Sequence, residues 1–309
     1  MPTWGDLLQQ LTDGSWTAPD GSLDLDRFRR HYVEQLSNYT GRNTVVYSTD
    51  WLNPAKSDSP DLSILLGDMQ GLMEVFKDLD VSAGLDLVLH SPGGDPTAAD
   101  SLVRYMRSRF AHVRVIVPVA AMSAATMWSL AADELILGRH SQLGPIDPQL
   151  RLGNNMIPAA AIKRNFEKAQ SECAADPSRL SAWVPVLQQY YPGLLEMCDD
   201  FTNLSKALVE EYLLDYMLRR RKNKAVLAKA AAEFFADSDA HMAHSRGIGR
   251  DKIRAYGLKV SNLEDDAGLQ DAVLTVHHAM THTFNITSIA KIVENQLGRS
   301  WMKAMPAGI

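Results

Sequence analysis

The sequence has few cysteines and no long apolar run, and each absence excludes a class of protein. Of its 309 residues only Cys173 and Cys198 are cysteines, too few for a disulfide framework and not at a zinc-ligand spacing. No apolar stretch reaches the roughly 20 residues that span a bilayer, and the N-terminal residues have no signal-peptide pattern. We therefore expect a cytoplasmic protein in a reducing compartment, with no membrane span.

The sequence also lacks an excess of basic charge. It carries 31 Lys and Arg residues against 37 Asp and Glu residues, a formal net charge of −6 at pH 7. An acidic chain is a poor match for nucleic acid, so no nucleic-acid partner is expected. The one dense basic run, residues 219–224, is interpreted as a solvated helix face. There is no phosphate-binding loop, so an ATP-dependent partner would be a separate protein.

Metal ligands at a recognised spacing are missing as well. His241 and His244 are three residues apart in the sequence, and His278 and His282 are four apart. Neither pair has an acidic or cysteine companion at the spacing of a known metal motif. We therefore expect no metal and no cofactor.

Two segments within residues 85–150 carry the strongest signals. Residues 85–89 are a short apolar run, typical of a strand covered on both faces, and Gly93 and Gly94 follow it. Adjacent glycines permit positive φ angles and leave amide N–H groups free to point at a ligand. Residues 113–119 form a second such run, which predicts a neighbouring strand that delivers Ser123 to the start of the next helix.

The position predicted for Ser123 suits acyl transfer. At a helix start the N–H groups are unpaired, and negative charge is favoured there. A serine oxygen beside such donors can attack a carbonyl whose oxygen becomes negative in the transition state. The alternative interpretation is that Ser123 is only a helix N-cap and the two glycines only a turn.

The pattern along the chain predicts an α/β fold. Strands and helices alternate over the central region, which favours a mainly parallel sheet with ligands bound beyond the carboxyl ends of its strands. Residues 1–40 are predicted to form an N-terminal helical arm, and 41–300 the main domain, with a helical insertion at about 158–240. We also predict a first crossover helix over residues 62–79, a terminal helix over 289–297 and a loose tail over 301–309.

Four motifs in this order resemble the Clp protease and crotonase superfamily. They are Ser-Pro-Gly-Gly at 91–94, Ala-Met-Ser-Ala-Ala at 121–125, Leu-Gly-Pro-Ile-Asp-Pro-Gln-Leu at 143–150, and the segment 244–260. The likeness is in particular to the serine dehydrogenase proteinase branch, which is related to signal peptide peptidase A, and it covers roughly residues 40–300. It implies a ClpP/crotonase-like spiral of ββα units with added helices, and a serine peptidase that works through an acyl-enzyme.

Carried over residue by residue, the resemblance implies a nucleophile and an oxyanion hole. Ser123 would be the nucleophile, and the amides of Gly94 (or Gly93) and Ala124 would bind the developing oxyanion. Many relatives have glycine two residues before the serine, where this chain has Ala121. Alanine fits there if that residue keeps a negative φ.

The base of such a site has two candidates. His244 stands where relatives of the serine dehydrogenase proteinase branch carry a histidine, and a histidine titrates near neutral pH. Lys163 follows Ser123 by about the interval seen in signal peptide peptidase relatives, but a lysine base requires desolvation. Asp147 lies near the place of the Clp-type histidine, which leaves an acidic role open to it. His90 and His140 are interpreted as structural, and His244 is preferred over Lys163.

Three functions stay open on the sequence alone. The first is a serine peptidase acting on a peptide or protein substrate. The second is a crotonase-type acyl-CoA enzyme, and the third is a catalytically silent scaffold of the same fold, since a fold does not fix a function. The resemblance also implies a homo-oligomer, with the N-terminal arm and residues 194–235 as candidate contact surfaces.

Overall fold

The computed structural model describes residues 3–57, 59–153 and 155–305. Its helices are α1 Trp4–Thr12, α2 Leu25–Thr40, α3 Met69–Val75, α4 Pro96–Arg109, α5 Ala124–Leu130, α6 Ala159–Ala175, α7 Leu180–Leu187, α8 Leu194–Asp215, α9 Lys224–Ala236, α10 Ser238–His241, α11 Arg250–Ala255 and α12 Ala267–Ile286. Its strands are β1 Asn43–Thr49, β2 Leu85–His90, β3 Val113–Val117, β4 Ala120–Ala121, β5 Glu134–Leu137, β6 Gln142–Leu143, β7 Gln149–Leu152, β8 Asn155–Pro158, β9 Ile248–Gly249, β10 Val260–Asn262, β11 Ile289–Asn295 and β12 Ser300–Ala304.

A seven-stranded sheet with the order β10-β5-β3-β2-β1-β11-β12 forms the centre of the molecule. The strands from β10 to β1 are parallel, whereas β11 pairs antiparallel with β1 and β12 antiparallel with β11. A three-stranded sheet β4-β6-β9 and a β7–β8 hairpin lie beside it. The predicted α/β class with a mainly parallel sheet is therefore confirmed.

Helices cover both faces of the sheet, as the apolar composition of β2 predicts. Leu85, Leu87 and Leu89 belong to a core with α4, α5, α8 and α9 on one face. Val88 points to the second core, which α1, α2 and α12 complete. Side chains alternate between the faces of a strand, so a strand buried on both faces needs apolar residues at successive positions.

The helices from α6 to α10 form an addition beside the sheet. With the β7–β8 hairpin, α6 and α8 enclose a separate small core that includes Leu150, Ile162 and Cys198. The basic run at 219–224 lies mostly in the turns between α8 and α9, not on a helix face as predicted, and Arg219 pairs there with Asp133 at 3.1 Å. Within the three described ranges, no helix has both the length and the apolar character that a bilayer span requires.

The predicted crossover helix over residues 62–79 is mostly wrong. Only α3 is α-helical there, and it is preceded by short 3₁₀ turns at Pro60–Leu62 and Leu66–Asp68. Ile64 is extended because it pairs with Gly94, in the turn that follows β2. A tertiary contact therefore overrides the helical spacing of the leucines and methionines.

The C-terminal predictions are wrong for a related reason. Residues 289–297 are predicted as a helix but contain β11, whose residues pair with β1 on one side and β12 on the other. A short apolar run does not distinguish a strand from a buried helix by its periodicity. Residues 301–304 of the predicted loose tail belong to β12, where Trp301 packs against the core, and residues 306–309 lie outside the described residues.

Candidate active site

Ser123 lies in a strained turn between β4 and α5. Its φ of 51° and ψ of −121° are unusual for a residue with a side chain. Across the part of the chain that the structure describes, the Ser123 side chain makes no capping bond to α5, so it does not act as the N-cap that the alternative interpretation proposed. Strain of this kind persists only where the surroundings hold it in place.

The glycine turn after β2 holds the serine turn in place. The two strand exits are joined at Ser91 and Ala121, where the Met122 amide donates to the Ser91 carbonyl at 2.9 Å. Gly93 has a φ of 97°, and a Cβ on it would lie 2.5 Å from the Met122 carbonyl oxygen and 2.7 Å from the Ser123 Cβ. Glycine is required at this position both by the φ angle and by the close approach of the second turn.

Two backbone amides at these turns have no hydrogen-bond partner among the described residues. The Gly93 amide donates to the Ser91 hydroxyl at 3.2 Å. By contrast, the amides of Gly94 and Ala124 donate to no residue within the described ranges. Both residues line the cavity in front of Ser123, so the structure leaves Gly94, rather than Gly93, with a free donor beside that of Ala124.

His244 and Asp147 form a hydrogen-bonded pair at the same cavity. The His244 Nδ1 lies 2.7 Å from Asp147 Oδ1, and the Asp147 side chain is only 5% exposed. Gln149 Nε2 donates to the other carboxylate oxygen at 2.8 Å. An ionised carboxylate only accepts hydrogen bonds, so this contact fits the tautomer with its proton on Nδ1 and its lone pair on Nε2, which is the tautomer that a general base requires.

The turn that carries Asp147 is fixed by the core. The Ile146 amide donates to the Phe235 carbonyl at 2.8 Å. The buried Thr126 hydroxyl donates to the Gly144 carbonyl at 2.9 Å, which ties this turn to α5 only three residues after Ser123. The carboxylate and the serine are thus held by one connected unit.

The cavity that these residues share has a volume of about 580 Å³. Apart from the residues already described, its lining is mostly apolar and comes from several elements: Ser63, Pro92, Asp95, Pro96, Thr97, Met127, Ile146, Pro148, Met156, Phe201 and Ser205. The sequence reasoning missed Met156 on β8 and Phe201 and Ser205 on α8. No local signal identifies them, because the packing of the added helices places them there.

The structure does not bring Lys163 to this cavity. It lies on α6, partly exposed, and its Nζ pairs with Asp199 at 2.5 Å. The hydrogen bond to Asp199 raises the pKa of the Lys163 ammonium above its usual value, whereas a lysine base needs a lowered one. Both the position of Lys163 and its charge therefore argue against a role as the general base.

The other candidate histidines are not part of the cavity lining. His90 is buried, its Nδ1 bonds the Ala120 carbonyl at 3.1 Å, and burial lowers its pKa to about 4. His140 is exposed at the surface. The His241 ring donates to the Phe234 carbonyl, and the His282 ring to that of Trp4.

Comparison with known proteins supports the family assignment. Residues 68–185 match the model of a family described as ClpP-like SDH-type serine proteinase. The predicted family resemblance is thus confirmed over that segment, which contains Ser123, both glycines of the turn and Asp147. His244 lies outside the matched segment.

Curated relatives and a solved structure extend the comparison. The uncharacterized protein MJ0137 of Methanocaldococcus jannaschii is 33% identical over 119 residues, 38% of this chain and 40% of the relative. The uncharacterized protein MJ1495 of the same organism is 31% identical over 113 residues, 35% and 37% of the two chains. The chain thus spans about two fifths of the length of these relatives. The solved structure is a mutant of the 1510-N membrane-bound stomatin-specific protease. The alignment covers 79% of this chain and 78% of the protease chain, with 13% sequence identity and a TM-score of 0.35.

Proposed function

We propose that this protein is a serine peptidase in which Ser123 is the nucleophile, His244 the general base and Asp147 the residue that orients it. The family match over residues 68–185 supports the serine peptidase class. The observation that carries the proposal is the convergence on one cavity of a strained serine, two unpaired amides and a carboxylate-bound imidazole. Each of the three groups has a defined role in acyl transfer.

In the proposed reaction, His244 Nε2 takes the hydroxyl proton as Ser123 Oγ attacks the carbonyl carbon of the peptide bond. The carbonyl oxygen becomes negative and accepts hydrogen bonds from the Gly94 and Ala124 amides. The proton then passes from His244 to the leaving amine, which departs and leaves an ester on Ser123. A water molecule, deprotonated by His244, attacks the ester and releases the acid.

Asp147 holds the imidazole in the tautomer that this sequence of steps needs. It accepts from Nδ1, so that Nε2 is the nitrogen without a proton, and it stabilises the imidazolium formed in each attack. Among the described residues, the Ser123 hydroxyl has no hydrogen-bond partner. Catalytic hydrogen bonds of free enzymes often tighten only when substrate is bound, so we expect the bond between Ser123 and His244 to form with the peptide in place.

Labelling with a fluorophosphonate tests the proposal. Ser123→Ala should abolish labelling and peptide hydrolysis, and His244→Gln should slow labelling by about 10⁴-fold or more, as removal of a triad member does in other serine peptidases. Ser205→Ala is the matched control, because Ser205 is a second serine of the same cavity, on α8. Its labelling should equal that of the unaltered protein.

Three results would refute the proposal. Labelling that survives Ser123→Ala would remove Ser123 from the mechanism. Saturable binding of an acyl-CoA, without labelling of Ser123, would favour the crotonase-type alternative. A complete lack of labelling in every oligomeric form would favour a silent scaffold. The homo-oligomer, the peptide substrate and a separate ATP-dependent partner stay predictions, which sedimentation and hydrolysis assays can check.

A further inference from the structure

A buried lysine of β11 is hydrogen-bonded to a residue of the cavity lining. Lys291 is in the middle of β11, and its side chain is 0% exposed. Its Nζ bonds both carboxylate oxygens of Asp68, at 2.7 and 2.8 Å, and the carbonyl of Ser63 at 2.8 Å. Ser63 is itself part of the cavity lining.

Asp68 connects this lysine to the same short segment of chain. One of its oxygens also accepts from the Tyr47 hydroxyl at 2.6 Å and from the Leu65 amide at 3.0 Å. Lys291 and Asp68 therefore fix the backbone of residues 63–65 at two points, one on each side of Ile64.

Ile64 in turn holds the glycine turn from both sides. Its amide donates to the Gly93 carbonyl at 2.7 Å, and its carbonyl accepts from the Asp95 amide at 3.0 Å. A Cβ on Gly94 would lie 2.4 Å from both the nitrogen and the oxygen of Ile64. The backbone of Gly94 is thus pressed against Ile64, and Gly94 is one of the residues that line the cavity.

We propose that the Lys291–Asp68 pair is a positioning device for the oxyanion hole, which sets the direction of the Gly94 amide through residues 63–65. The inference rests on the proposed function, since it assigns a task to a donor of that site. Neither residue belongs to the cavity lining, so both are assigned as positioning residues. A buried ion pair is often no more stable than apolar residues of the same volume, so the geometry it imposes on this segment is the effect to measure.

The chain offers a matched control on the opposite face of the same strand. Glu294 of β11 pairs with Arg29 of α2 at 3.0 Å, and both side chains are 0% exposed. This pair faces the core formed with α2 and α12, away from the glycine turn. Breaking it therefore removes a buried ion pair from β11 without touching residues 63–65.

The experiment compares Lys291→Met with Arg29→Met by two readouts. The first is hydrogen exchange, measured by mass spectrometry, of the segments 60–68 and 91–98, which contain the Ile64 and Asp95 amides. The second is the rate constant of fluorophosphonate labelling. Tyr47→Phe is a milder variant that keeps the test open if Lys291→Met does not fold, because it removes only one hydrogen bond to Asp68.

We expect Lys291→Met to raise exchange in both segments about tenfold, since local opening follows the loss of the bonds that hold the segment closed. Labelling should slow by about 10- to 100-fold, less than the 10²- to 10³-fold typical of losing an oxyanion donor outright. Tyr47→Phe should shift both readouts in the same direction. Arg29→Met should change labelling less than about twofold, as expected for a distant site.

The outcomes separate this inference from the proposed function. If the unaltered protein is not labelled at Ser123, the proposed function fails, and the exchange readout still tests the positioning of the turn. Unchanged exchange in 91–98 for Lys291→Met and Tyr47→Phe would overturn the inference. Faster exchange with unchanged labelling would also overturn it, as would an equal loss of labelling in Arg29→Met.

Discussion

Replacing Gly93 with alanine tests whether the contact between the two turns builds the site. The change has two physical costs. A φ of 97° is unfavourable for any residue with a Cβ, which costs about 1–3 kcal/mol. The new methyl group would also lie within 2.5–2.8 Å of atoms in Met122, Ser123 and Ala124, and overpacking of this kind typically adds about 1–3 kcal/mol.

Gly14→Ala separates the two costs. Gly14 has a φ of 91°, close to that of Gly93, but nothing lies within 4 Å of an added Cβ. It should therefore lose stability through the φ angle alone. The difference between the two variants in the free energy of unfolding, measured with urea, reports the overlap between the turns.

The two variants should differ more strongly in labelling. Gly93→Ala pushes the Ser123 turn away from the glycine turn, so we expect fluorophosphonate labelling to slow by about 10²-fold or more, comparable to the loss of an oxyanion donor. Gly14→Ala should label at the rate of the unaltered protein. If Gly93→Ala folds and labels within about threefold of that rate, the contact between the turns is not what builds the site.

Three further predictions follow from the same structure. Asp147→Asn should slow peptide hydrolysis by about 10⁴-fold with little change in peptide binding, because the wrong imidazole tautomer is then favoured; an unchanged kcat would contradict the role of Asp147. Lys163→Ala should leave hydrolysis unchanged and alter stability by at most about 1 kcal/mol, as for a surface ion pair; loss of activity would restore it as a candidate base. Burial lowers the pKa of His90 to about 4 from its ordinary value of 6.5, so the unfolded chain binds more protons between these pH values. His90 alone should therefore contribute a loss of about 3 kcal/mol of stability as the pH falls from 6.5 to 4, beside the loss from His277, whose pKa is also lowered by burial. His90→Asn should reduce the pH dependence in urea unfolding, and an equal slope in both proteins would refute the assignment.

Much of the centre of the fold was predictable from the sequence. The apolar runs at 85–89 and 113–119 predict buried parallel strands, because a strand with a core on both faces has apolar residues at successive positions. Such a run can be recognised from the sequence alone. The position of Ser123 between a strand and a helix followed from the same pattern. The match of β2 and β3 to their predicted places shows that local signals are strong where burial is complete.

Other parts of the molecule are set by contacts that no local pattern reveals. Ile64 is extended because it pairs with the glycine turn, which shortens the predicted crossover helix to α3. Residues 289–295 become a strand because they lie at the edge of β1. The role of Asp147 was open in the sequence, since its partner His244 is 97 positions away along the chain and only the fold brings the two together.

The most direct test of the central claim is to trap the acyl-enzyme. The protein would be mixed with a p-nitrophenyl ester, quenched in acid during turnover, digested and analysed by tandem mass spectrometry. The account predicts an acyl group on the Ser123 hydroxyl, which is absent in Ser123→Ala and forms far more slowly in His244→Gln. An acyl group on any other residue, or one that forms on Ser123 at the same rate without His244, would contradict it.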